Sequence, residues 1–205
     1  MTLDATKLLR PGLLDGVTVA VAAASEAGTG TAAAAVRDAA SELGGAVAAV
    51  ALVKQEGVAV EEQAAEAALV EALAELGSLD ALVVDCASLF ALPLASDALV
   101  TCLASAWNAT RAAATQAFLP AQSGGRIVLL APPAGRECAG PAAAGLENLA
   151  RTLSIEWARH GITTVAVAPG AETSAVELAT LACYLLSPAG AYFSGCLMDL
   201  RGPMS

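Results

Sequence analysis

The chain has 205 residues and a mass of 20.2 kDa, enough for one domain (residues 1–205) with a sizeable core, and its 57% hydrophobic composition excludes an intrinsically disordered chain. Its net charge is −10, and its 10 basic residues are scattered singly, so no cationic stripe exists to neutralise phosphates and nucleic-acid binding is excluded. The rare residues exclude more: the lysines are Lys7 and Lys54, the tyrosines Tyr184 and Tyr192, and the histidine is His160. No tyrosine and lysine stand one helical turn apart, since Tyr184 is followed four places on by Pro188 and Tyr192 by Cys196.

Five cysteines (Cys86, Cys102, Cys138, Cys183 and Cys196) show no CxxC spacing and no neighbouring histidine. This argues against a metal site or a disulfide framework and for a reducing compartment. Residues 1–10 lack an apolar signal core behind a basic start, and apolar runs such as Ala20–Ala24 and Ala32–Val36 are too short to span a bilayer. The expected location is cytoplasmic, with no membrane association.

Short β-rich runs alternate with longer helical stretches, the pattern of a parallel sheet covered on both faces. Gly16–Val21 reads as a first strand and runs into Ala24-Ser25-Glu26-Ala27-Gly28-Thr29-Gly30. Thr31–Leu43 is a helix stopped by Gly44-Gly45, and Ala46–Val53 a second strand, with Val58–Val60 a stub of a third. Glu61–Leu76 is helical and Leu79–Asp85 a buried strand. Ser96–Leu119 is a long helix ended by Pro120, and Arg126–Leu130 a strand broken by Pro132-Pro133. Pro141–Arg159 is a helix with Leu146, Leu149, Leu153 and Trp157 on one apolar stripe. Thr163–Ala168 is a strand, Val176–Leu186 a helix and Gly195–Leu200 the last strand. The succession predicts a doubly wound, Rossmann-type α/β domain.

Several fragments, in this order, resemble the short-chain dehydrogenase/reductase family. They are the strand and glycine turn at Val17–Gly30, Leu79-Asp80-Ala81-Leu82-Val83, Gly125-Arg126-Ile127-Val128, Gly145–Leu153 with Glu156-Trp157-Ala158, Gly161-Ile162, Val167-Ala168-Pro169-Gly170, Leu185-Leu186-Ser187-Pro188 and Ser194-Gly195. The resemblance runs from about Gly16 to Gly202. It implies a nicotinamide dinucleotide held at the glycine turn, a Ser/Tyr/Lys active site, and dimers or tetramers built through two long helices.

The departures fall on that chemistry. The family's TGxxxGxG turn here has Ala23-Ala24 in place of Thr-Gly, while Gly28 and Gly30 remain. An alanine where the turn needs positive φ costs on the order of 1 kcal/mol and sets a methyl where phosphate approaches, and Glu26 adds like-charge repulsion. Gly28 and Gly30 then serve close strand–helix packing or remain as a remnant of a dinucleotide site. Val53-Lys54-Gln55 stands where the family holds the ribose, with Lys54 either a solvated lysine or a partner for a 2′-phosphate. The NNAG motif appears as Val84-Asp85-Cys86-Ala87, with Asp85 a turn cap or a site carboxylate. Ala131 or Pro132 replaces the active-site serine, Ala139 the tyrosine and Ala143 the lysine. Where the resemblance implies a proton donor and the lysine that tunes it, alanine does neither. Asn108 lies one residue out of register with the family's helix asparagine, whose place Trp107 takes. After Pro169-Gly170 only Ala171-Glu172-Thr173-Ser174 precedes the next helix, so the lid over the substrate is truncated.

The expectation is therefore a catalytically inactive member with no cofactor of its own. It would pair through Ser96–Leu119 and Pro141–Arg159 with a homologous, active subunit that carries NAD(P)H, as a hetero-oligomer. Trp107, Leu146, Leu149, Leu153 and Trp157 are its interface candidates. Two alternatives stand beside it: a divergent NAD(P)-dependent oxidoreductase or a lyase using Asp85, Glu137, Cys138 or His160, and a ligand-sensing Rossmann module. For His160 the non-catalytic reading is contact with carbonyls at a helix end, and for Cys138 a buried thiol.

Overall fold

The structure, a computed structural model, describes residues 8–25, 32–52, 61–90 and 95–202. Side-chain alternation sets its layers. Along β1 (Thr18–Ala23), Val19 and Val21 face one apolar layer and Ala20 and Ala22 the other, all at most 1% exposed. β2 (Ala46–Ala51), β3 (Ala81–Asp85), β4 (Gly125–Leu130), β5 (Ile162–Ala168) and β6 (Cys196–Asp199) join it in an all-parallel sheet of order β2-β1-β3-β4-β5-β6.

On the valine side of β1 lie α1 (Ala32–Glu42) and α6 (Ala175–Leu186), which contribute Val36, Ala40, Leu178 and Leu186 to a layer with Val83, Val128 and Val165. The opposite layer holds α2 (Glu62–Leu76), the short α3 (Cys86–Leu89), α4 (Ala95–Ala113) and α5 (Ala139–Glu156). Small side chains bring these helices close. A Cβ built on Gly145 of α5 would lie 2.8 Å from the Leu103 side chain of α4. This is the expected doubly wound, Rossmann-type α/β domain. Among the described residues, no helix is long and apolar enough to cross a membrane.

Several boundaries differ from the sequence reading. β1 begins at Thr18 because Gly16 turns with φ +75° and Thr18 is anchored to Asp80, whose Oδ2 accepts from Thr18 N–H at 2.9 Å and from its hydroxyl at 2.8 Å. α4 is not ended by Pro120. It continues through a π-helical turn, Ala114–Phe118, where Leu119 N–H donates to Ala114 C=O, and then through Leu119–Ala121. The wider turn accommodates a residue without an N–H, whose ring would collide with a carbonyl in a regular α-helix. α5 ends at Glu156, so Trp157 caps the helix rather than lying within it, and Ala158–His160 is a 3₁₀ turn closed by Gly161 at φ +69°. The single turn α3 was not foreseen. Val53, the Val58–Val60 stub, Lys54, Glu26, Gly28, Gly30 and Thr31 lie outside the described residues.

The α5 stripe divides. Leu146 and Leu153 are 0% and 3% exposed, and Leu149 and Trp157 are half-buried against the same layer. On the outer faces, Val100 and Trp107 of α4 are 65% and 41% exposed and Ile155 of α5 is 79% exposed. Leu146→Ala is expected to cost about 2–5 kcal/mol in urea unfolding, whereas Ile155→Ala in the isolated chain is expected to stay within about 0.5 kcal/mol.

Candidate functional site at the sheet's switch point

The strand order reverses at β1, whose neighbours β2 and β3 carry the chain to opposite sides. The crevice outside the carboxyl ends of β1 and β3 is therefore where a sheet of this topology binds ligands. β3 ends there at Asp85, which is 1% exposed. Its Oδ2 accepts the N–H of Ala33, in the first turn of α1, at 3.0 Å. Its Oδ1 accepts from Ala87 N–H at 3.1 Å and Ser88 N–H at 3.2 Å, capping α3. The Ser88 hydroxyl donates to the Asp85 carbonyl at 2.7 Å and accepts from Ala24 N–H at 3.0 Å, which ties the end of β1 to the end of β3.

Both carboxylate oxygens are thus used, and all three donors are backbone N–H groups. Burial pushes the Asp85 carboxyl up, the bonds from Ala33, Ser88 and Ala87 pull it down, and the balance leaves it above the ordinary aspartate value. Of the two readings of Asp85, the cap is realised, and it reaches a second helix as well. An Asp three residues before a Ser at a strand's end signals the α3 cap. Nothing in the sequence indicates Ala33, 52 positions away, because that contact depends on how α1 packs.

Ala24 does not adopt the strained backbone expected of it. Among the described residues, the non-glycine positions with positive φ are Gln122 and Cys138. The chain leaves β1 without a left-handed turn at Ala24, so no such cost arises there. Past β4, Ala131 N–H donates to Val167 C=O at 2.8 Å and Ala134 N–H to Pro169 C=O at 3.1 Å, which strap this segment to the end of β5. Ala131 and Pro132, at the expected serine position, are buried. Ala139 and Ala143, one turn apart on α5, are 4% and 3% exposed.

The remaining polar candidates do not assemble. Glu137 is exposed, and Cys138, at φ +60°, has no hydrogen bond to its thiol among the described residues. His160 precedes β5 and so lies at the opposite edge of the parallel sheet from Asp85, where its Nε2 accepts from Arg159 Nε at 3.0 Å. Asn108 is half-buried on α4. No three His, Cys, Asp or Glu side chains gather as a metal site among the described residues.

An open cleft of about 670 Å³ lies beside the ends of β5 and β6, lined by Gly170, Glu172, Thr173, Glu177, Leu181 and Arg201 among others. Its charges are largely committed. Glu177 forms a capping box with Ser174, whose backbone N–H and hydroxyl hold its carboxyl low. Arg201 forks onto Asp199 at 2.8 and 2.7 Å and holds that carboxyl down at about 2. Four residues, Ala171 to Ser174, separate Gly170 from α6, so the connection is as short as expected.

The short chain dehydrogenase family profile matches residues 14–180. A comparison with curated proteins by sequence finds no match. Among solved structures, a hydroxysteroid dehydrogenase from Escherichia coli is 17% identical, with a TM-score of 0.76 over 94% of this chain and 99% of that one. A short chain dehydrogenase from Mycobacterium smegmatis is 21% identical, with a TM-score of 0.74 over 95% of each chain. The citronellol catabolism dehydrogenase of Pseudomonas aeruginosa is 27% identical, with a TM-score of 0.67 over 94% and 96%.

Because the folded chain holds the Asp85 proton more tightly than the unfolded chain, this group's contribution to stability is greatest below 3.8 and declines as pH rises through the raised value. The amide protons of Ala33, Ala87 and Ser88 are expected to titrate together by NMR with one midpoint above 3.8, and to lose that titration in Asp85→Asn. Three unrelated midpoints would contradict a shared carboxylate.

Proposed function

The chain belongs to the short chain dehydrogenase family, and from that premise we propose that it is a non-catalytic subunit that pairs with and stabilises an active, homologous NAD(P)-dependent subunit. One observation carries the reading: Ala139 and Ala143, aligned with the family's proton-donating tyrosine and its lysine, are methyl groups packed into the domain. There is no hydroxyl to protonate a carbonyl oxygen and no ammonium to lower its pKa or hold a ribose. The serine position offers Ala131 or Pro132, and no candidate acid or base elsewhere is bonded to a partner that would activate it.

The dinucleotide does not fit the described residues either. An N–H of α1's first turn, the kind of donor that meets a diphosphate, is already bonded to the buried Asp85 carboxylate, and a phosphate brought to that terminus would meet like charge. No catalytic step is therefore assigned to this chain, and NAD(P)H is assigned to the partner.

The partner surface is the outer face of α4 and α5. Val100 and Trp107 stand seven residues apart on one side of α4, Ile155 is exposed on α5, and the small residues Ala104 and Ala144 leave room for another helix. A chain with 15% charged residues gains by covering such a face.

Calorimetric titration of the purified chain with NADH and NADPH is expected to show no binding in the micromolar range. Dehydrogenase-like partners from the same cell are expected to co-purify with it and to carry all of the activity. Micromolar cofactor binding or turnover by this chain alone would overturn the reading in favour of a divergent oxidoreductase. Ala139→Tyr with Ala143→Lys is expected to yield no turnover and to destabilise the fold by about 1–3 kcal/mol or more, because both side chains must enter filled space. Trp107→Ala is expected to weaken assembly by about 2 kcal/mol, read from the dissociation midpoint in sedimentation. A stable monomer at micromolar concentration that co-purifies with nothing would contradict the pairing.

A further inference from the structure

We propose that Asp85 is a resident anion: its carboxylate takes over, at the N-terminus of α1, the part that a bound phosphate plays in a dinucleotide-binding sheet of this topology, so the switch point is held together from within. The inference rests on the reading of the chain as a subunit that binds no dinucleotide, and it names the residue that makes this state self-sufficient.

The first turn of any α-helix presents N–H groups with no partner inside the helix, and their dipoles favour an anion. Here the helix on the valine side of β1 begins at the crevice, and its Ala33 N–H is met by Asp85 Oδ2 at 3.0 Å. The same carboxylate caps α3 through Oδ1, so one buried group holds two helix starts and the end of β3 together. Ser88, bonded to the Asp85 carbonyl and to Ala24 N–H, adds β1 to the cluster.

The donor set requires a carboxylate. An asparagine, which the NNAG pattern of the resembling family places here, carries one acceptor oxygen and one NH₂ group. With its oxygen on Ala87 and Ser88, its NH₂ would confront the N–H of Ala33, donor against donor. Swapping the ends would orphan the α3 cap instead. Only two acceptor oxygens satisfy all three N–H groups, and the fold surrounds them with donors alone.

The test is rescue by a small carboxylate. Asp85→Ala leaves the three N–H groups without an acceptor and a cavity the size of the missing group. Its melting temperature is expected to fall by on the order of 5–10 °C. Sodium formate is expected to restore about half of that loss, while sodium chloride at equal ionic strength restores none and wild type responds to neither.

Should Asp85→Ala not fold, Asp85→Asn, of equal volume, supplies the second measurement. Hydrogen exchange is expected to quicken by about tenfold or more either at Ala33 N–H or at the N–H groups of Ala87 and Ser88, according to which end of the amide faces which donors. Formate no better than chloride, or exchange unchanged at all three N–H groups in the asparagine variant, overturns the assignment to Asp85. That result is separate from the cofactor titration of the wild type. NADPH binding there would sink the functional reading, whereas failure of rescue sinks only the role given to this carboxylate.

Discussion

A carboxylate 1% exposed at the end of the central strand holds the crevice of this domain together. Taking such a charge out of water is costly, and no cation among the described residues offsets it. The compensation comes from three backbone N–H groups and from the positive end of α1. These opposing effects are visible in the carboxyl's proton affinity, raised by burial and lowered by every hydrogen bond it accepts. Because the donors belong to α1 and to α3, the position of one side chain fixes where two helices start relative to the sheet.

The alanine content sets how closely the helices pack on one side of the sheet. On the α2–α4–α5 side of the sheet, β1 presents Ala20 and Ala22, and α4 and α5 answer with Ala106, Ala109, Ala142 and Ala150, all 0% exposed. Small side chains let the helices approach closely, as at Leu103 over Gly145. Ala143 belongs to this packing, and Ala139, at the start of α5, is 4% exposed.

Much of this was legible in the sequence. Strand alternation, the glycine stop after α1 and the apolar stripe of α5 follow from local rules, and they gave the layer order and the all-parallel sheet. Gly44 illustrates why the glycine stop is reliable: it sits at φ +94°, and a Cβ there would run into the Asp15 carboxylate. The failures have physical causes. Pro120 reads as a terminator because it breaks a regular helix, yet a π turn just before it admits the ring. Ala24 reads as strained because the resembling turn has glycine there, yet the backbone does not adopt that conformation. The link from Asp85 to Ala33 was invisible because it spans 52 residues and depends on the packing of a helix against a strand, which no local pattern encodes.

The carboxyl edge of the sheet and the outer faces of α4 and α5 differ in which groups they leave open. At the carboxyl edge, four polar groups are bonded within the protein: Asp85 to helix starts, Ser88 to β1, Glu177 to the α6 cap and Asp199 to Arg201. On the outer faces of α4 and α5, Val100, Trp107 and Ile155 stand exposed among the described residues. Covering Val100, Trp107 and Ile155 would remove apolar area from water, which is why the proposed pairing is placed on that face.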